Sequence, residues 1–266
     1  MKRFFMKLAY DGTGFQGWQN QKKGRTVQQD IENILSEIAK TKIAVTGAGR
    51  TDAGVHALAQ CVHFDFMIEM SANQILKAIQ AKLPPDIQIV EVKKAVPDFS
   101  ARYDAYQRTY EYIITKTPTP FNRHYKTYFK RKYLRPEIIN ACLPYFIGEH
   151  DFTSFSKFNP QIKSPICTVI DFSFRETTED LYLEITANRF LHNMVRRIIG
   201  TVVNISHKNE NPAVIKELIA ACTTQNKLIS TAPANGLYLK EIFYPENCFL
   251  CPPWKGELKG VRYNKK

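Results

Sequence analysis

The segment GAGRTDAGVHALAQ, residues 47–60, carries a single carboxylate, Asp52, preceded by Arg50 and Thr51 and followed by His56. Glycines stand at 47, 49 and 54, and glycine lets a backbone approach a ligand closely or take positive φ. A carboxylate on such a loop faces a substrate while the flanking elements hold it in place. An aspartate side chain is ordinarily ionised at neutral pH, so it can act as nucleophile or proton acceptor without an activating base. The spacing leads to an exposed carboxylate beside a cation and names no reaction. A dinucleotide-binding GxGxxG loop would need glycine at position 52, and a carboxylate there would repel pyrophosphate. A P-loop would need GK followed by Ser or Thr, which is absent. An ordinary strand-connecting turn stays open as a reading, since Asp and Gly are common in turns.

The elements that would position this loop follow from periodicity. KRFFMKLAYDG alternates as a strand and breaks at Asp11-Gly12. TVQQDIENILSEIAK opens with Thr26 and Gln29 as a capping box and carries Val27, Ile31, Ile34, Leu35 and Ile38 on one helical stripe. TKIAVTGAGR and HALAQCVHFDF are strands on either side of the glycine segment, and SANQILKAIQAKL is a second capped helix closed by Pro84-Pro85. IQIVEVKKA is the next strand. The pattern then repeats: a strand at QRTYEYIITK, a helix opened by Pro136, a hairpin of ICTVIDFSFRE with DLYLEITANRF, and a helix over RFLHNMVRRIIGTVVNI. A further helix starts at Asn211-Pro212, and NGLYLKEIFY supplies a last strand. Strand–helix–strand–strand–helix–strand, twice over and without a Gly/Ser linker, predicts two similar α+β halves sharing one sheet. No residue-level repeat joins the halves.

Composition narrows the class. A chain of 266 residues, 44% hydrophobic, supports one large domain or two fused smaller ones. Its apolar runs are too short and too interrupted by charge to span a membrane. The basic N-terminus turns polar within ten residues, without the apolar core of a secretory signal, which predicts a cytoplasmic protein. Cys61, Cys142, Cys167 and Cys222 sit among apolar neighbours as small buried hydrophobes. Cys248 and Cys251 form a CxxC with no second pair nearby to complete a zinc site. The 37 Lys and Arg against 25 Asp and Glu give a net charge of +12. The pI is about 9.4, and such an excess predicts a polyanionic partner. RHYKTYFKRKYLR, residues 123–135, interleaves seven basic side chains with four aromatics, which suits phosphates and stacked bases.

GAGRTDAGVHA resembles the signature of the tRNA pseudouridine synthase A family. LAYDGTGFQGWQNQ, TVQQDIE, LPPDI, FSARYDAYQRTYEYII, GEHDFTSF, FLHNMVRRIIG and TAPANGLYL resemble its other motifs in order, from residue 4 to about 245. The resemblance implies an isomerase that converts uridine to pseudouridine at positions 38, 39 and 40 of the tRNA anticodon arm, using no cofactor and no metal, as a homodimer. It implies the pseudouridine synthase fold: two RRM-like or ferredoxin-like α+β halves joined through a continuous mixed, mainly antiparallel sheet. Here the halves would be residues 1–104 and 105–246, followed by a basic tail, 247–266.

By the same resemblance, Asp52 is the catalytic aspartate and Arg50 the arginine that displaces the target base. Tyr110 is the tyrosine that stacks on the flipped uracil, Arg196 the partner of the carboxylate, and Leu237 an apolar residue against the base. Chemistry at C1′ and C5 of a stacked nucleotide requires its extrusion, which costs a few kcal/mol. Strand alternation alone does not choose between Tyr110 and Tyr112, which share a face. Arg196 and Arg197 point about 100° apart on a helix, so only one can face a given site. His192 and Asn193 read as polar positions on that helix, with His192 able to line the cleft. The family commonly has arginine where this chain has Cys167, in a KSPxRT pattern read here as KSPICT, and asparagine where it has Lys82. A non-catalytic RNA-binding protein of the same fold, or a paralogue acting at another tRNA position, are the alternatives.

Overall fold

The computed structural model describes residues 1–129, 134–157 and 164–250. Lys163 of KSPICT, residues 130–133 of the basic-aromatic segment, and the tail from 251 with Cys251 lie outside the described residues.

The first half runs β1 (Lys2–Tyr10), α1 (Val27–Ala39), β2 (Val45–Gly47), β3 (His56–Phe66), α2 (Ala72–Gln80) and β4 (Ile87–Lys94). The second runs β5 (Gln107–Thr115), β6 (Thr127–Tyr128), α3 (Pro136–Cys142), β7 (Gly148–Asp151), β8 (Ile166–Glu176), β9 (Asp180–Ala187), α4 (Met194–Lys208), α5 (Val214–Ala220) and β10 (Leu237–Phe243). The described strands form one ten-stranded sheet in the order β4-β1-β3-β10-β5-β9-β8-β7, with β2 also on β3 and β6 also on β5. Most pairs are antiparallel; β10 lies parallel to β3 and β6 parallel to β5. The two repeats therefore share one mixed sheet, as the element order predicts.

β10 joins the halves. Tyr238 and Leu239 pair with His56 and Ala57 of β3, while Leu237 to Phe243 pair with Tyr112 to Gln107 of β5. β2 occupies the same edge of β3 further along, at Phe64 to Val62. The connection between β2 and β3, which carries Asp52, thus lies where β10 takes over the edge.

Two apolar cores flank this joint. One gathers Phe4, Phe64, Phe66, Ile31, Leu35 and Ile75 around α1 and α2. The other gathers Tyr112, Leu183, Ile185, Ile198, Ile199 and Val202 around α3 and α4. Tyr110 packs against both.

Capping chemistry sets the helix starts unevenly. At α2 the Ser71 and Gln74 side chains each accept from the other's backbone N–H, a complete capping box. At α1 the Thr26 hydroxyl accepts from the Gln29 N–H at 3.4 Å, but the Gln29 amide turns to Asn33 instead, so the box is half formed. α4 starts later than the apolar stripe predicts: Asn193 takes the left-handed conformation at φ 62° and the helix begins at Met194. Phe190, Leu191 and His192 consequently lie in the loop from β9, not on the helix. β6 and β7, two and four residues long, are too short to show alternation.

Cys61, Cys142 and Cys167 are buried, as expected, whereas Cys222 is exposed. Cys167 lies within the second core, and burial pushes its thiol up to about 11. Lys82 is held at the surface by Glu37, 2.6 Å away. Cys248 is buried in the first core, and Phe249 packs against Phe5 with ring centroids 5.0 Å apart.

Candidate active site

The loop from β2 to β3 is fastened from beneath by the end of β1 and the segment that follows it. The Tyr10 hydroxyl and Thr51 Oγ1 are 2.8 Å apart and buried. The Trp18 N–H donates to the Thr51 carbonyl at 3.1 Å, and the Gly54 N–H to the Phe15 carbonyl at 3.3 Å. The Val55 N–H closes the turn on the Asp52 carbonyl at 3.1 Å. Two of the three glycines are required by this fit. A Cβ at Gly47 would stand 2.6 Å from the Trp18 indole nitrogen, and Gly54 has φ +76°. Gly49 faces open space and needs neither freedom. Thr51 is thus buried, and Asp52, with its side chain 24% exposed, reaches across to α4 of the other half.

α4 meets it from the other half. Arg196 donates from Nη1 to Asp52 Oδ2 at 2.8 Å. The same guanidinium donates from Nε to the Ala232 carbonyl at 2.8 Å and from Nη1 to Asn193 Oδ1 at 3.3 Å. Three acceptors fix its plane, so the cation is set before any ligand arrives. Arg197 turns away and donates to the carbonyls of Ser154 and Thr224.

The β9–α4 loop adds two groups that periodicity alone places on the helix. His192 Nε2 lies 3.4 Å from Asp52 Oδ1, the oxygen that Arg196 leaves uncovered. Phe190 meets Tyr110 edge to face, with centroids 5.1 Å apart and an interplanar angle of 88°. The available signal was Asn193, since asparagine is among the few residues that readily take a left-handed conformation and so interrupt a helix.

Tyr110, on β5, is half-buried beside the carboxylate. Burial, and then the charge of Asp52, push its hydroxyl up to about 12. Tyr112, two residues on, is fully buried and its hydroxyl bonds Thr127 Oγ1 at 2.8 Å and the Pro233 carbonyl at 2.9 Å, a packing and anchoring role. Arg50 is exposed on the loop and makes no ion pair among the described residues. Leu237 is 4% exposed within the second core, paired in register with Tyr112. The structure therefore brings Asp52, Arg196 and Tyr110 together, adds His192 and Phe190, leaves Arg50 at the rim and sets Leu237 beneath the surface.

A second cluster ties the loop's far end to the other half. His56 is buried, accepting from the Gly12 N–H at Nδ1, 3.0 Å, and facing the His124 carbonyl at Nε2, 2.9 Å. The proton therefore sits on Nε2. The ring stacks on Tyr238 at 4.7 Å. Burial holds this imidazole below its usual range. The arm that follows β5 leaves Arg123, His124, Tyr125 and Tyr128 exposed. Among the described residues no group of three or more His, Cys, Asp or Glu is arranged to hold a metal ion, and no helix is long and apolar enough to cross a membrane.

The sequence profile of the family described as tRNA pseudouridine synthase matches residues 7–104 and 143–245. The chain is similar to the tRNA pseudouridine synthase A of Exiguobacterium sp., 36% identical over 244 residues, which cover 92% of this chain and 98% of that protein. It is 37% identical over 252 residues to the tRNA pseudouridine synthase A of Bacteroides thetaiotaomicron, covering 94% and 93% of the two chains. To that of Lysinibacillus sphaericus it is 38% identical over 252 residues, covering 92% and 100%.

Proposed function

The chain belongs to the tRNA pseudouridine synthase family, and from that premise we propose that it isomerises uridine to pseudouridine in tRNA, in the anticodon arm at positions 38, 39 and 40. The observation that carries the reading is the ion pair between Asp52 and Arg196, 2.8 Å across the joint between the halves. The fixed guanidinium orients the carboxylate and stabilises its negative charge at the place where a base would enter.

Asp52 acts on the sugar or the base while the N1–C1′ bond breaks and the C5–C1′ bond forms. Arg50, exposed on the same loop, displaces the target base from its stack. Tyr110 receives the extruded ring, with Leu237 in the apolar wall beneath. The net charge of +12 and the exposed arm with Arg123 and Tyr125 supply phosphate and base contacts. The enzyme works in the cytoplasm as a homodimer without metal or cofactor, one tRNA touching both subunits.

The test is release of tritium from tRNA carrying uridine labelled at C5, with the modified positions mapped afterwards. Release with pseudouridine at 38–40 supports the reading; tight tRNA binding without release reduces the protein to an RNA-binding module. Raising salt from about 50 to 200 mM should weaken tRNA binding by a factor on the order of 10³ if about six phosphates are contacted. Filter binding across that range checks it.

Stacking gives a further prediction. Tyr110→Phe keeps the ring and should turn over near the wild-type rate. Tyr110→Ala forfeits roughly 1–3 kcal/mol of base stacking, about a 5- to 150-fold loss in single-turnover rate. Equal damage from both variants would assign the essential part to the hydroxyl.

A further inference from the structure

Resting on the reading of the chain as a uridine-to-pseudouridine isomerase, we propose that His192 is a second catalytic residue, whose imidazole takes the proton that leaves C5 of the rearranged base. The reaction requires such an acceptor. When the N1–C1′ bond breaks, its electron pair stays on the uracil. The ring turns and its electrons form the C5–C1′ bond, leaving C5 with both the sugar and its original hydrogen. Loss of that hydrogen as a proton to the acceptor returns the C–H pair to the ring, and N1 takes a proton from water. Nothing is oxidised or reduced.

The cleft offers few acceptors. Arg50 and Arg196 are permanently protonated donors. Tyr110 has its hydroxyl pushed up to about 12, which keeps it protonated at neutral pH. His56, although it follows Asp52 in the chain, is 2% exposed and has both ring nitrogens engaged, by the Gly12 N–H and the His124 carbonyl. Asp52 is engaged at C1′ or on the base until the C5–C1′ bond forms, and its Oδ2 stays held by Arg196 at 2.8 Å. His192 is the remaining titratable group, and imidazole is the side chain suited to exchanging protons near neutrality.

Its position fits the task. Nε2 lies 3.4 Å from Asp52 Oδ1, whereas Arg196 holds Oδ2 at 2.8 Å. The imidazole therefore stands at the edge of the carboxylate that is open to an incoming C1′ and to the C5 that replaces N1 beside it. Arg196 is locked by Ala232 and Asn193. Among the described residues His192 has Asp52 as its only side-chain polar partner, and it is 48% exposed. It can yield Oδ1 to the substrate, collect the proton and pass it to water. Phe190, two residues earlier, packs on Tyr110, so one loop reaches both the stacking ring and the carboxylate.

The experiment is single-turnover pseudouridine formation on tRNA transcribed with ordinary or 5-deuterated uridine, by wild type, His192→Gln and His192→Ala. Expected for His192→Gln are a rate lower by about 100-fold, unchanged tRNA affinity, and a deuterium isotope effect larger than the wild type's, because C5–H cleavage has become limiting. Added imidazole should raise the rate of His192→Ala and leave Asp52→Asn inactive. A variant rate near wild type overturns the proposal. So does a slow variant with no enlarged isotope effect and no imidazole rescue, which would leave His192 as a positioning residue for Asp52. Should His192→Ala fold poorly, the glutamine variant carries the isotope measurement alone. Failure of the wild type to form pseudouridine would instead remove the underlying functional reading.

Discussion

Asp52→Asn is expected to lower pseudouridine formation by about 10⁴-fold or more while fold and tRNA binding persist. The amide has nearly the size of the carboxylate but is neither nucleophile nor base at neutral pH. The loop should survive because its fastening is mostly backbone: the Asp52 carbonyl accepts from Val55, and the Thr51 carbonyl from Trp18. Asn Oδ1 can still accept from Arg196, itself held by the Ala232 carbonyl. For a pair whose side chains are 18% and 24% exposed, the lost charge interaction costs on the order of 1 kcal/mol. Phosphate contacts elsewhere supply most of the affinity. Tritium release and filter binding on the same preparation decide the matter. Substantial release would remove Asp52 from the chemistry, and joint loss of binding and folding would make it a structural turn residue.

Arg196 should give the second largest effect. Arg196→Met removes the counter-charge of Asp52 and leaves the Ala232 carbonyl without its side-chain donor, so a fall of about 10²–10³-fold in single-turnover rate is expected. Arg196→Lys retains charge but lacks the fork that spans Asp52 and Ala232 at 2.8 Å each. It should recover only part of the rate. Guanidinium added to the methionine variant should restore some activity if the role is charge placement. A lysine variant as active as wild type would show that the fork is dispensable, and a methionine variant as active would show the same of the ion pair.

Much of the scaffold is legible in the sequence because it is local. Ser71 and Gln74 announce α2 three residues apart, and β3 ends in a clean alternation that buries Val62, Phe64 and Phe66. The glycine loop marks Asp52 as an exposed carboxylate without reference to anything distant. What spacing withholds is the partner. Arg196 is 144 positions away along the chain, and only resemblance to a family picks it from Arg197. His192 and Phe190 are hidden by a different effect: their apolar stripe continues into α4, and one left-handed residue, Asn193, removes them from it. Tyr110 and Tyr112 cannot be separated by alternation, which gives them the same face. The distinction is tertiary, because Tyr112 is closed over by Thr127 and Pro233 while Tyr110 lies beside Asp52.

The placement of β10 sets when the enzyme can come into being during synthesis. Among the described strands this one is the last to leave the ribosome, yet it fills the central slot, parallel to β3 and antiparallel to β5. Until it arrives, the β3 edge at His56 and Ala57 has no strand to pair with, and closing Tyr238 onto His56 requires a loop spanning most of the chain. The first half can gather its own core around α1 and α2 while translation continues, carrying Asp52 on a finished loop. Arg196 has emerged by then as well, but the seam that aligns the halves has not. Completion of the site is therefore a late event, and a nascent chain that already displays its aspartate still lacks the seam that aligns Arg196 with it.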